Sequence, residues 1–129
     1  MAKILVAEDD SDLRLLVSLK LESAGHEVVS VEDGSSAAQH CSSIRPDLVI
    51  LDLMMPGMSG LEVCRYIRAS DELRSTPVIL LTARAQAADI EAGRAAGVDE
   101  YLTKPFSPRE LAVRVSSLLS SRVAPRHGP

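Results

Sequence analysis

The sequence predicts an α/β fold, a doubly wound sheet of five short parallel strands that alternate with five helices. Three observations predict it. Apolar runs rich in Val, Ile and Leu recur at 3–7, 48–51 and 77–81, and unbroken runs of this kind are characteristic of strands buried on both faces. Between them, apolar residues return at helical spacing. Two of the runs end directly in carboxylates, Glu8-Asp9-Asp10 and Asp52, at the strand ends where open parallel sheets bind their ligands.

Each element has its own local reason. Lys3 to Ala7 reads as strand one, and Asp10 or Ser11 can cap a first helix in which Leu13, Leu16, Val17, Leu21 and Ala24 recur before a stop at Gly25. His26 to Val31 mixes polar and apolar residues, as an edge strand does. Asp33-Gly34 turns into an alanine-rich helix reaching Cys41 or Ser43. Pro46-Asp47 opens the central strand, Leu48 to Asp52. Ser59-Gly60-Leu61-Glu62 is a capping box that starts a helix through about Ala69. Pro77 to Thr82 is the fourth strand. The helix over about 86–96 offers the sheet mainly alanines (Ala88, Ala92, Ala95, Ala96) and Ile90, and Gly93 inside it costs ~1 kcal/mol against alanine. Its hold on the sheet is expected to be weak. Tyr101 to Thr103 is a short fifth strand ending at Lys104-Pro105. Ser107-Pro108-Arg109-Glu110 is a second capping box with Pro at the first helical position, and the last helix packs with Leu111, Val115, Leu118 and Leu119. Right-handed crossovers then give the flavodoxin-like order 2-1-3-4-5, which makes strands one and three neighbours.

The bulk composition bounds the function. A chain of 129 residues fits one domain, 1–122, able to bury ~65–70% of its unfolded surface, with 123–129 as a tail or truncated linker. Net charge is -4 and no Lys/Arg block occurs, so direct nucleic-acid binding by this segment is not expected. Cys41 and Cys64 lie in helical patterns of a chain without a signal peptide, which points to reduced thiols and a cytoplasmic setting. No apolar run approaches the ~18 residues of a membrane span.

The chemistry follows from the strand order. With strands one and three adjacent, Glu8, Asp9 and Asp52 converge, and Thr82 and Lys104 arrive from the flanking strand ends. Three carboxylates and one ammonium give the site a net charge of about -2. Two like charges ~4 Å apart repel by ~4 kcal/mol at an effective dielectric near 20, so the cluster must raise a pKa or take up a cation. An all-oxygen site of this charge suits Mg²⁺, which uses one or two carboxylates and bridges to a phosphate. Thr82 and Lys104 then supply a hydroxyl and an ammonium for phosphoryl oxygens.

Over about residues 2–122 the chain resembles the response-regulator receiver domains of two-component signalling. The resemblance is carried by Glu8-Asp9, by Asp52 with Met54-Met55-Pro56-Gly57-Met58-Ser59-Gly60 after it, by Thr82-Ala83, and by Tyr101-Leu102-Thr103-Lys104-Pro105-Phe106. It implies that Asp52 accepts a phosphoryl group from the phosphohistidine of a sensor kinase, or from a small acyl phosphate. It implies Mg²⁺ held by the side chains of Asp9 and Asp52 and the backbone carbonyl of Met54, with Glu8 acting through water, and Lys104 paired with the phosphoryl group. Thr82 would then move inward, Tyr101 would turn into the space opened, and the face made by the fourth helix, fifth strand and fifth helix would be remodelled. Ala83 is small enough to leave an approach to Asp52, and the resemblance places Met54 and Arg84 at the two variable positions that, in the family, tune the lifetime of the phosphate. Asp99, Glu100, Glu110 and Arg114 fit the ion-pair pattern of a subclass that dimerises on that face and regulates DNA through a separate output domain. In that subclass a basic residue stands at the position of Ile90 and an arginine near Ser120 and Ser121.

Three other readings weaken on particular residues. A Mg²⁺-dependent aspartyl-phosphate phosphatase of the haloacid-dehalogenase type carries a second acid two residues after its nucleophile, where this chain has Met54. A flavin carrier needs a hydroxyl-rich phosphate loop after strand one, and Glu8-Asp9-Asp10 would repel that phosphate. A receiver that no longer takes phosphate would lack a site residue, and every one is present.

Overall fold

Leu48–Asp52 forms the central strand, β3, and its run of large apolar side chains is buried from end to end. In a computed structural model, which describes residues 1–123, four further strands flank it: β1 (Lys3–Ala7), β2 (Glu27–Val31), β4 (Val78–Thr82) and β5 (Glu100–Thr103). All pair in parallel, in the order β2-β1-β3-β4-β5. The helices between them are α1 (Ser11–Ser23), α2 (Gly34–Ile44), α3 (Gly60–Ala69), α4 (Ala87–Ala96) and α5 (Pro108–Val123).

Alternation along the strands divides the core in two. Leu5, Val49, Leu51, Val78 and Leu80 face Ala37 and Cys41 of α2 and Val63, Cys64 and Ile67 of α3. Ile4, Val6, Leu48, Ile50, Ile79 and Leu81 face Val17 and Leu21 of α1 and Leu111 and Val115 of α5. Both thiols are free, and burial pushes them up, Cys41 to about 12 and Cys64 to about 11. They are packing residues held in the unreactive thiol form. Among the described residues, no helix is long and apolar enough to cross a membrane.

The caps follow the sequence with small differences. Asp10, not Ser11, caps α1, accepting from the backbone N–H groups of Asp12 and Leu13. The full reciprocal box forms at Ser59 and Glu62. At α5 only half of it forms: Ser107 Oγ accepts from Glu110 N at 3.0 Å, while the Glu110 carboxylate turns to Arg114 at 3.8 Å. α2 runs to Ile44 and closes through Arg45 in the left-handed region, beyond the expected stop. α5 continues through Val123, because the first helix breaker is Pro125. The rest of the expected tail, 124–129, lies outside the described residues.

In α4 only Gly93 and Ala96 are buried; of the expected inner face, Ala88, Ile90 and Ala95 are exposed, so the helix buries even less than its alanines suggest. Its N-cap, Gln86, makes no side-chain capping bond. Gly93 has a packing reason, since a Cβ there would stand 3.1 Å from the Tyr101 ring.

Candidate functional site

Strand register assembles the site. Ala7 pairs with Leu51, so the residues that follow, Glu8 and Asp52, leave the sheet side by side. On the other flank Asp52 is level with Leu81, and Thr82 with Thr103, which brings Lys104 to the same edge. Carboxylate oxygens of Glu8, Asp9 and Asp52 lie within 4.8 Å of one another. Lys104 Nζ sits 3.0 Å from Glu8 Oε1 and 3.1 Å from Asp52 Oδ1. The Lys104–Pro105 peptide bond is cis. Glu8 is 1% and Asp52 4% exposed, whereas Asp9 is open to solvent.

Burial sets the electrostatics. Desolvation, partly offset by the Asp10 N–H and by Lys104 and reinforced by Asp52, raises the Glu8 carboxyl from 4.5 to about 7. Glu8 therefore holds a proton more readily than an ordinary carboxyl, and the site reaches its full charge of -2 only when that proton leaves. Burial alone would depress Lys104, but its bonds and charge pairing with Glu8 and Asp52 outweigh this and hold the ammonium above its ordinary value. Glu8 Oε1 lies at ion-pair distance from Lys104, yet it accepts no well-directed hydrogen bond and is sealed from solvent. A buried carboxylate oxygen without a directed hydrogen bond, grouped with further hard oxygen donors, fits a small divalent cation such as Mg²⁺.

The remaining predicted residues fall into two groups. Thr82 is buried at the end of β4, and its Oγ1 accepts from Arg84 N at 3.0 Å. The Tyr101 hydroxyl lies against the Thr82 side chain and donates to the Arg84 carbonyl at 2.6 Å. Arg84 thus bonds to both residues, through its N–H to Thr82 and its carbonyl to Tyr101, a connection the sequence did not announce. Met54 is 60% exposed, and Ala83 and Arg84 are open to solvent. A mainly apolar groove of about 560 Å³, lined by Asp10, Asp12, Leu13, Leu16, Ala83, Lys104, Pro105 and Phe106, adjoins the carboxylates. A depression of similar size, lined by Met1, His26, Asp47 and Ser116, lies where the strands begin and so at the edge opposite this chemistry.

Sequence reasoning missed Arg14. Its Nη1 donates to the Glu8 carbonyl at 2.7 Å and its Nη2 pairs with Glu32 at 3.6 Å, tying the end of β1 to α1 and to the segment after β2. A basic residue one turn after an acidic strand end was the available signal.

Fold and site together define a small parallel α/β domain with a carboxylate-lined cation pocket and an ammonium poised for an anion. The chain matches the response regulator receiver domain over residues 4–116. It is 40% identical over 117 residues to the DNA-binding response regulator MtrA of Mycobacterium tuberculosis (strain ATCC 25618 / H37Rv), covering 91% of this chain and 50% of that protein. Identity is 44% over 117 residues to the transcriptional regulatory protein ResD of Bacillus subtilis (strain 168), with 91% and 48% covered. The receiver domain of the sensor histidine kinase PA1611 of Pseudomonas aeruginosa PAO1, solved with a magnesium ion in its active site cleft, aligns with a TM-score of 0.85 and 33% identity, covering 92% of this chain and 98% of that one. The chain belongs to the response regulator receiver domains of two-component signalling. It spans about half the length of the curated relatives it matches.

Proposed function

We propose that Asp52 is the phosphoacceptor of this receiver domain. The observation that carries the reading is a buried carboxylate at a strand end, 3.1 Å from a lysine ammonium and clustered with two further acids. An Asp52 oxygen attacks the phosphorus of a phosphohistidine on a sensor histidine kinase or phosphotransfer protein. The phosphorus–nitrogen bond breaks, imidazole leaves, and an aspartyl phosphate remains that water later hydrolyses, returning Asp52. Phosphoryl transfer passes through a loose transition state, so alignment and charge neutralisation supply most of the catalysis. Lys104 holds the phosphoryl oxygens, and the Thr82 hydroxyl donates to them once it turns from Arg84. The domain turns over no substrate beyond its own phosphorylation and dephosphorylation, so it acts as a switch, not as a phosphatase.

The side chains of Asp9 and Asp52 and the Met54 carbonyl would hold Mg²⁺, with Glu8 acting through water. The ion's part is to neutralise phosphoryl charge and align the acceptor. Because Glu8 sheds a proton as the site reaches full charge, Mg²⁺ affinity should rise with pH, by up to about tenfold per unit below 7. The sign agrees with folding linkage. Glu8 titrates at about 7 in the folded domain and 4.5 unfolded, so the metal-free fold binds the extra proton in that window and loses stability as pH rises through it. Calorimetric Mg²⁺ titrations at about pH 6 and pH 8 check this; equal affinities would contradict it, and Glu8→Gln should flatten the dependence.

Inward movement of Thr82 would release Arg84 N and, through the Arg84 peptide, loosen the Tyr101 hydroxyl. α4, held by few buried side chains, is the element such a bias would move. The reading includes lifetime tuning by Met54 and Arg84, an approach to Asp52 past Ala83, and a homodimer through the α4-β5-α5 face. That dimer would exchange ion pairs that Arg114 now makes within the chain, with Glu100 and with Glu110, and Asp99 would be the further acid of the pattern. A DNA-binding output would reside elsewhere in a longer protein, and the setting would be cytoplasmic. Incubation with acetyl phosphate tests the core of the proposal: a mass gain of one phosphoryl group is expected with Mg²⁺ and lost with chelator. Labelling that ignores Mg²⁺ would overturn it.

A further inference from the structure

The loop from Leu53 to Ser59, which carries Met54 out of β3, is seated between two glycines. On its inner side Gly60 N donates to Leu53 O at 2.9 Å, and a Cβ at Gly60 would stand 2.5 Å from the Asp52 carbonyl oxygen. On its outer side Gly34 N donates to Pro56 O at 3.1 Å. A Cβ at Gly34 would stand 1.8 Å from the Met58 carbonyl oxygen and 2.5 Å from its carbon. Both obstacles are backbone, so no rotamer change relieves them. The seat itself is fixed, because Asp33 caps α2, its Oδ1 accepting from Ser36 N at 2.7 Å and its Oδ2 from Ser36 Oγ at 3.1 Å. Gly57 repeats the close fit from the loop: its φ is +76°, and a Cβ there would come 2.6 Å from Ser35 Oγ.

Helix formation does not ask for glycine at the start of α2, since alanine is the better helix former. We propose that Gly34 is a positioning residue for the phosphoryl site. By letting the first turn of α2 take the 53–59 loop into direct backbone contact, it fixes where Asp52 and the Met54 carbonyl stand toward Mg²⁺. The inference rests on the reading that these two groups hold the cation. Residues that orient metal ligands without touching the ion commonly change affinity by about 10–100-fold.

The test is a calorimetric Mg²⁺ titration of the full chain as Gly34→Ala, with Gly25→Ala as control. Gly25 has φ +96° and open space around it, so its replacement strains a backbone away from the loop. Gly34→Ala is expected to weaken Mg²⁺ binding about 10–100-fold, and to raise the Mg²⁺ concentration needed for half-maximal acetyl-phosphate labelling in parallel. Gly25→Ala is expected to bind Mg²⁺ as wild type does. A folded Gly34→Ala with wild-type affinity overturns the proposal, as does an equal loss in both variants. If Gly34→Ala does not fold, Gly57→Ala disturbs the same seat from the loop side, and there too unchanged affinity overturns it. A wild-type chain that binds no Mg²⁺ would sink the site assignment and this inference together, a result distinct from equal binding by wild type and variant.

Discussion

Asp52→Asn is expected to abolish Mg²⁺-dependent phosphorylation by acetyl phosphate while leaving the domain folded and no less stable. The loss of labelling follows from chemistry, since an amide nitrogen or oxygen cannot form the acyl phosphate. The stability follows from the site's charge. Glu8 and Asp52 are both buried and share one ammonium, and Asp52 is among the causes that raise Glu8. Removing the Asp52 charge leaves Lys104 its 3.0 Å pairing with Glu8 and lets the Glu8 carboxyl fall, with burial still holding it above the ordinary range. Intact-protein mass after labelling, together with a thermal melt, checks both halves. Equal mass gain in wild type and variant would contradict the acceptor assignment, and a collapsed melt would contradict the electrostatic one.

Lys104→Met should slow labelling by about 10²–10³-fold, the usual loss when one preorganised charge is taken from a transition state. Mg²⁺ should still bind, because no proposed ligand is removed. A second readout separates this from simple destabilisation. Lys104 is one of the groups that lower Glu8, so without it Glu8 titrates above its value of about 7. An acid raised in the folded state stabilises the fold less as pH climbs through the window between its unfolded and folded values. The variant's melting temperature should therefore keep falling with pH beyond the point where wild type levels off. Time courses of labelling and melts between about pH 6 and pH 9 make the comparison; wild-type kinetics would remove Lys104 from the phosphoryl site.

Much of the site was legible in the sequence because parallel strands convert order into proximity. Val49-Ile50-Leu51 before Asp52, and Leu5-Val6-Ala7 before Glu8, each identify a buried strand with an acid at its end, and the strand order makes them neighbours. Lys104 was legible for the same reason, as a polar residue ending the last strand. What could not be read depends on side-chain reach and on surfaces that meet only after folding. The Arg14 clamp on the Glu8 carbonyl is a choice of rotamer. The contact of Gly34 with Met58 spans two separate crossovers, and nothing near Gly34 in sequence announces it. The backbone of Arg84 bonds to both Thr82 and Tyr101, which the sequence did not announce, because β4 ends in a turn whose conformation the residues 82–86 do not reveal alone. The burial of Glu8 was not visible either, although the crowding of three carboxylates already called for a raised pKa or a bound cation.

The position of the phosphoryl group tests Asp52 as the acceptor most directly. After acetyl-phosphate labelling with Mg²⁺, borohydride reduction converts an aspartyl phosphate to homoserine, and peptide sequencing locates it. Homoserine is expected at position 52 and at no other; homoserine at position 9 or 10, or a label that survives reduction on a serine, threonine or histidine, would contradict Asp52 as the acceptor.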